Sequence, residues 1–201
     1  VRRDLENQVH SYCEEGAYDA AVAAAELCLS IVAAQCGRLS TERATSLNNL
    51  AVLYETMGSY EKAEPLYLEA KEIDAQTLGQ QHPSYATSLN NLAALYETMG
   101  SYEKAEPLYL KAKEIRVQTL GQQHPDYATS LNNLAVLYEA MGSFEVAFAY
   151  AEEASSVFFQ LLTVVLPTLT EERMLQYIHA ADFQVGTLIS ILVSGNLDVF
   201  A

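Results

Sequence analysis

Hydrophobic residues recur along the middle of the chain with the spacing of helix faces. From Pro83 to Met99, Leu89, Leu92, Ala93 and Tyr96 fall at i, i+3, i+4 and i+7, which predicts one helix with a single buried stripe. From Tyr102 to Leu120, Ala105, Leu108, Tyr109 and Ala112 predict a second helix facing the first. Gly100-Ser101 lies between them, Gly suiting a left-handed C-cap and Ser an N-cap. Gly121 predicts the end of the second helix, and Pro125 fits the first turn of the next, where a missing N–H costs nothing. No apolar/polar alternation predicts a strand, so the expected fold class is all-α.

The same pattern recurs at a fixed period. Ala44–Tyr85 and Ala86–Tyr127 differ at five of 42 positions: Val52/Ala94, Glu69/Lys111, Asp74/Arg116, Ala75/Val117 and Ser84/Asp126. A third copy opens at Ala128 and then diverges. A fourth, degraded copy lies upstream, where Tyr12, Gly16, Tyr18, Ala21 and Gly37 match Tyr54, Gly58, Tyr60, Ala63 and Gly79. The expected architecture is a solenoid of about four antiparallel helix pairs, roughly 2–43, 44–85, 86–127 and 128–165. In domain terms, residues 1–155 read as the array and 156–201 as a C-terminal cap or connector.

Small residues specify how a pair packs. Ala51 on the first helix and Ala63 and Ala70 on the second allow close approach, with Tyr54 and Tyr67 filling the remaining space. The set Leu47, Leu50, Ala51, Tyr54, Gly58, Tyr60, Ala63, Tyr67 and Ala70 resembles the tetratricopeptide repeat (TPR). The 42-residue period resembles the longer-helix variety found in kinesin light chains and in many bacterial TPR proteins. The likeness covers about residues 2–155. It fades in the first copy, where Gln8, Val9 and Cys28 replace Leu50, Ala51 and Ala70.

Each repeat also carries paired asparagines in mid-helix, Asn48-Asn49, Asn90-Asn91 and Asn132-Asn133, although Asn is a weak helix former. At about 100° per residue, Leu47, Leu50, Ala51 and Tyr54 share one face, and Thr45, Asn49, Val52 and Thr56 lie opposite, with Asn48 on the flank. The equivalent stripes are Thr87, Asn91, Ala94 and Thr98, then Thr129, Asn133, Val136 and Ala140; upstream they are Arg3, Asn7, His10 and Glu14. Asn48 reads as a bond between repeats. The TPR resemblance implies that the first helices line a concave wall, so that Asn7, Asn49, Asn91 and Asn133 form a ladder of amides. An amide both donates and accepts, as an extended peptide backbone requires. Proteins resembling this one use the corresponding asparagine in that way, which implies peptide contact by Asn49, Asn91 and Asn133, flanked by Thr45, Thr87, Thr129, Val52, Ala94 and Val136. Chaperone-binding TPRs add Lys and Arg to clamp a terminal carboxylate; here the neighbours are mainly Thr45, Thr87 and Thr129, with Arg3 the only basic one, and no such clamp is expected. Glu55, Glu97 and Glu139 give the wall an acidic edge, which predicts a partner carrying Lys or Arg.

Charge narrows the partners. A net charge of −15 and a sequence pI near 4.5 argue against nucleic acid and anionic membrane. No apolar stretch reaches the ~20 residues of a membrane span, the nearest being Val157–Leu169. Cys13, Cys28 and Cys36 have no CxxC spacing and read as buried thiols of a cytoplasmic protein. His82 and His124 precede prolines in equivalent loops, and His10 and His179 have no evident partner. No nucleophile, phosphate-loop or metal signature appears. Neither enzymatic activity, metal nor cofactor is expected.

Beyond Ser155 the repeat dissolves into an apolar segment. Thr170, followed by Glu171 and Glu172, predicts a helix start, with an end near Val193 at Ser194-Gly195-Asn196. This segment would cap the array, dimerise, or pack on a domain outside this chain. "LTEERMLQYI" resembles the connector of bacterial proteins in which TPRs precede a CHAT domain, a caspase-like peptidase module, and the lack of an initiator Met suits a piece of something longer. The leading expectation is a protein-interaction scaffold capturing an extended peptide. The alternatives are the regulatory region of such a peptidase and a self-assembling homo-oligomer.

Overall fold

The computed structural model describes residues 2–165, with side chains described through Gln160. The apolar segment expected to form a helix from Thr170 lies outside these residues. Eight α-helices account for the described chain: α1 (Arg2–Glu14), α2 (Tyr18–Cys36), α3 (Thr41–Thr56), α4 (Tyr60–Thr77), α5 (Pro83–Thr98), α6 (Tyr102–Leu120), α7 (Pro125–Ala140) and α8 (Phe144–Val165). No strand occurs among the described residues. The chain forms two compact units, Val1–Gly100 with α1 to α5 and Ser101–Ala201 with α6 to α8. Helix α8 runs through position 155 without a break.

In the first unit each helix packs on its sequence neighbour: α1 on α2, α2 on α3, α3 on α4 and α4 on α5; α3 also touches α5. Two apolar clusters hold it together. One joins Ala21 and Ala25 of α2 to Leu50 and Leu53 of α3, and the other joins Ala44 and Leu47 of α3 to Ala70 and Ile73 of α4. Ala51, Ala63 and Ala70 have no exposed surface, as close helix approach requires. Helix α1 contributes no fully buried residue. In the second unit α7 packs between α6 and α8, around Leu131, Ala135, Ala147, Ala151 and Ala154, with the rings of Tyr138 and Tyr150 stacked at 5.6 Å.

The turns depart from the sequence reading in one respect. Gly58 does adopt a left-handed conformation (φ 70°), and the following Ser59 N–H bonds Tyr54 O at 2.8 Å, closing α3. Nothing crowds the position where a Cβ would stand, so the backbone angle alone requires glycine there. Ser59 and Ser101, however, do not cap with their hydroxyls. Their ψ near 60° is far from the extended geometry that turns a side chain onto the first helical N–H groups. Capping falls instead to Ser40, extended and accepting from Arg43 N at 3.3 Å, and to His82 and His124. The histidine Nδ1 atoms accept from Ser84 N and Asp126 N, each at 3.1 Å. Replacing His82 with Ala is expected to lower unfolding stability by about 1 kcal/mol, with Asn tolerated, as urea denaturation would measure.

Three other expectations need correction. Helix α2 is a better match to a membrane span in length and composition than Val157–Leu169. One face of it serves packing, with Ala21, Ala25, Cys28 and Val32 buried and Glu26 bonding Tyr54, while Leu27 is exposed. The cysteines are not uniformly buried. Cys28 is, and burial pushes its thiol pKa up, but Cys13 is half-buried and Cys36 exposed. His10 does have a partner, Glu14, at 3.3 Å one turn along α1.

Candidate functional site

The paired asparagines divide their work. Asn48 Nδ2 donates to Ser88 Oγ at 3.3 Å, tying α3 to α5, and Ser88 donates its own proton to Asp74 Oδ2 at 2.7 Å. This relay settles the orientation of the Asn48 amide. A carboxylate only accepts, so the serine proton points at Asp74, and Ser88 must take its other hydrogen bond from the amide's N–H side. Asn48 Oδ1 is therefore left buried without a partner. Asn132, the equivalent residue of the second unit, is buried with its Oδ1 likewise unpartnered.

The second asparagines stand on the other side. Asn49 is exposed and Asn91 half-exposed, and neither side chain bonds a described residue. Thr45 and Thr87 are exposed beside them, but their hydroxyl protons are used on their own helix, at Thr41 O (3.0 Å) and Pro83 O (3.2 Å). Only the amides keep free N–H donors. Thr45, Asn49, Thr87 and Asn91 come together around one polar cavity of about 230 Å³ whose walls also include Thr41, Asn48, Asp74 and Ser84. On its other side Asn49 borders a smaller cavity, about 80 Å³, with Val9, Ala25 and Cys28 in its walls.

The remaining expected residues are placed differently. Val52 is exposed and Ala94 half-buried, and neither lines the larger cavity. Asn7 is exposed on α1. In the second unit Thr129 is exposed with its hydroxyl on Pro125 O, while Asn133 and Val136 are half-buried. Glu55 does not simply face water. It accepts a 2.8 Å hydrogen bond from the fully buried Tyr67, and is thus part of the α3–α4 joint. Glu97 and Glu139 are half-buried.

Sequence reasoning missed two features. The first is Asp74, 4% exposed, beside the cavity. A signal was present: it is one of the few positions where near-identical repeats differ, Arg116 being its equivalent. The second is a set of tyrosine–glutamate bonds. Tyr54 donates to Glu26 at 2.9 Å, Tyr96 to Glu64 at 2.7 Å, and Tyr138 to Glu106. Tyr54 was expected only to fill space within its own pair, yet its hydroxyl reaches the preceding helix. Glu64 and Glu106 are repeat equivalents, but that register puts Val22 in α2, and Glu26, one turn further on, takes over.

Helices of this length, packed on their sequence neighbours within each unit and carrying one polar stripe, define the class of all-α helical-repeat proteins. The tetratricopeptide-repeat profile matches residues 5–76, 42–116 and 84–158, and the chain belongs to that family. No curated protein sequence matches it. Among solved structures, the chain is similar to BtubC (BKLC) from P. vanneervenii, with a TM-score of 0.69 and 23% identity over 96% of this chain and 80% of that one. It is also similar to a putative kinesin light chain from Podosopora anserina with nearly identical TPR-like repeats, with a TM-score of 0.63 and 24% identity over 98% of this chain and 97% of that one. At these identities the likeness concerns the fold. TPR proteins generally act as protein-interaction scaffolds without enzymatic activity. The CHAT-like connector lies outside both the described residues and those the family profile matches.

Proposed function

We propose that this chain is a peptide-binding scaffold in which Asn49 and Asn91 hold the backbone of an extended segment of a partner protein. One observation carries the reading: two amides on adjacent first helices, neither used by the fold, flank the same polar cavity. The hydroxyls of Thr45 and Thr87 beside them are engaged on their own helices, so the amides supply the free N–H donors here. Asn7, exposed on α1, extends the series by sequence equivalence. A few rungs at about 1 kcal/mol net per hydrogen bond correspond to micromolar affinity once side-chain contacts contribute.

The test is a pulldown and anisotropy titration against a random-peptide library, comparing wild type with Asn49→Ala plus Asn91→Ala. The double variant is expected to bind at least about tenfold more weakly, with an unchanged melting temperature. Retention of every bound peptide at full affinity would show that the exposed amides are not the contact.

A further inference from the structure

We infer that the cavity between α3 and α5 is a cation subsite, taking an Arg or Lys side chain of the bound segment. This rests on the peptide-holding reading of Asn49 and Asn91 and adds what kind of side chain enters between them. Three observations lead to it. The Asp74 carboxylate is 96% buried, lines the cavity, and receives one hydrogen bond, from Ser88; among the described residues no Lys, Arg or His pairs with it. Buried carboxylates ordinarily have a cationic partner or several donors, because desolvation is costly otherwise. The Asn48–Ser88–Asp74 relay holds that carboxylate in place. A fixed carboxylate with spare lone pairs suits an ammonium or guanidinium group, which carries several donors and no acceptor. At about 230 Å³ the cavity is far larger than one water needs.

The fold itself does not require an acid at this position. The equivalent residues are Val32 in the first repeat, Arg116 in the third and Phe158 in the fourth, all buried. Around Arg116 the neighbouring serine is kept but the polarity reverses: its Nη1 donates to Ser130 Oγ at 2.8 Å and to Asp126 O at 3.2 Å. Packing thus accepts apolar, acidic and basic side chains alike, and the acid at 74 coincides with the cavity beneath the free amides.

The probes are random-background peptides, acetylated and amidated, with one central position fixed as Arg, Lys, norleucine or Glu and affinity read by anisotropy. Wild type is expected to prefer the Arg and Lys pools over norleucine by about tenfold. Asp74→Asn, which keeps the shape and the Ser88 bond, should erase that preference and leave norleucine binding unchanged. Asp74→Val, copying the first repeat, is the second variant should the amide perturb folding, and thermal melts check both. Asp74→Arg with Ser84→Asp, which copies the third repeat, should move the preference toward Glu. An undiminished preference for Arg and Lys in both Asp74→Asn and Asp74→Val, or none in wild type, overturns the cation subsite. Equal weakening of all pools by Asn49→Ala plus Asn91→Ala supports the peptide-holding reading separately. If that double variant changes nothing while Asp74→Asn erases the preference, the subsite stands and the backbone-holding role falls. If no pool binds wild type, both are overturned.

Discussion

Tyr67→Ala is expected to destabilise the protein by about 3–5 kcal/mol, enough to unfold much of the first unit at ambient temperature. The Tyr67 ring is 1% exposed between α3 and α4, where alanines at 51, 63 and 70 hold the helices close and leave the aromatic ring to fill the space. Truncation would leave a cavity lined by side chains from both helices, and their close backbone packing limits how far they can collapse into it. Tyr67→Phe separates the ring from its hydroxyl. It keeps the volume and removes the 2.8 Å bond to Glu55, leaving a half-buried carboxylate without that donor, at an expected cost of about 1–2 kcal/mol. Urea unfolding monitored by circular dichroism measures both. Equal effects of the two variants would mean that the hydrogen bond, and not the packing, joins the helices.

Alkaline pH is expected to unfold the protein through its tyrosines. Tyr54, Tyr67, Tyr96, Tyr127 and Tyr138 each donate to a glutamate. In every case burial, with the glutamate's hydrogen bond and charge added, pushes the phenol pKa above its ordinary value, for Tyr96 up to about 12. The sign follows from linkage. A folded chain that holds these protons more tightly than the unfolded chain has its full stability below the ordinary phenol value of about 10. It loses that stability as pH rises toward the folded values, because the unfolded state then binds fewer protons. The urea midpoint should therefore be level through neutral pH and fall steeply from about pH 10 to 12. Tyr96→Phe should reduce stability at pH 8 by about 1 kcal/mol yet make the alkaline decline shallower. Loss of the Tyr96 phenol proton near pH 10 in a chain still fully helical, read as the phenolate absorbance difference between wild type and Tyr96→Phe, would contradict the account.

Both predictions concern groups that periodicity represents only as apolar. Tyr54 and Tyr67 fall on the inward face of their helices and read as filler. That they end in hydroxyls aimed at Glu26 and Glu55 depends on which helix stands opposite, and a wheel contains no neighbour. The same limit made Glu55 look like a solvated edge. It also hid Asp74, which lies on a second helix, whereas the amides that drew notice lie on the first.

The one-dimensional pattern did determine the helices and their turns. A 42-residue identity repeated in tandem forces each copy into the same local structure, and left-handed glycines with apolar positions at helical spacing leave little freedom over where α3 to α7 begin and end. It also separated the two asparagines of each pair, because adjacent residues on a helix point about 100° apart. What only the tertiary structure decided is which polar groups are spent and which are left over. Hydrogen bonds between helices consume Asn48, Ser88 and one side of Asp74, and leave the Asn49 and Asn91 amides unused around a cavity. That inventory depends on distances between residues 14 and 40 positions apart, which stacking sets and sequence spacing alone does not.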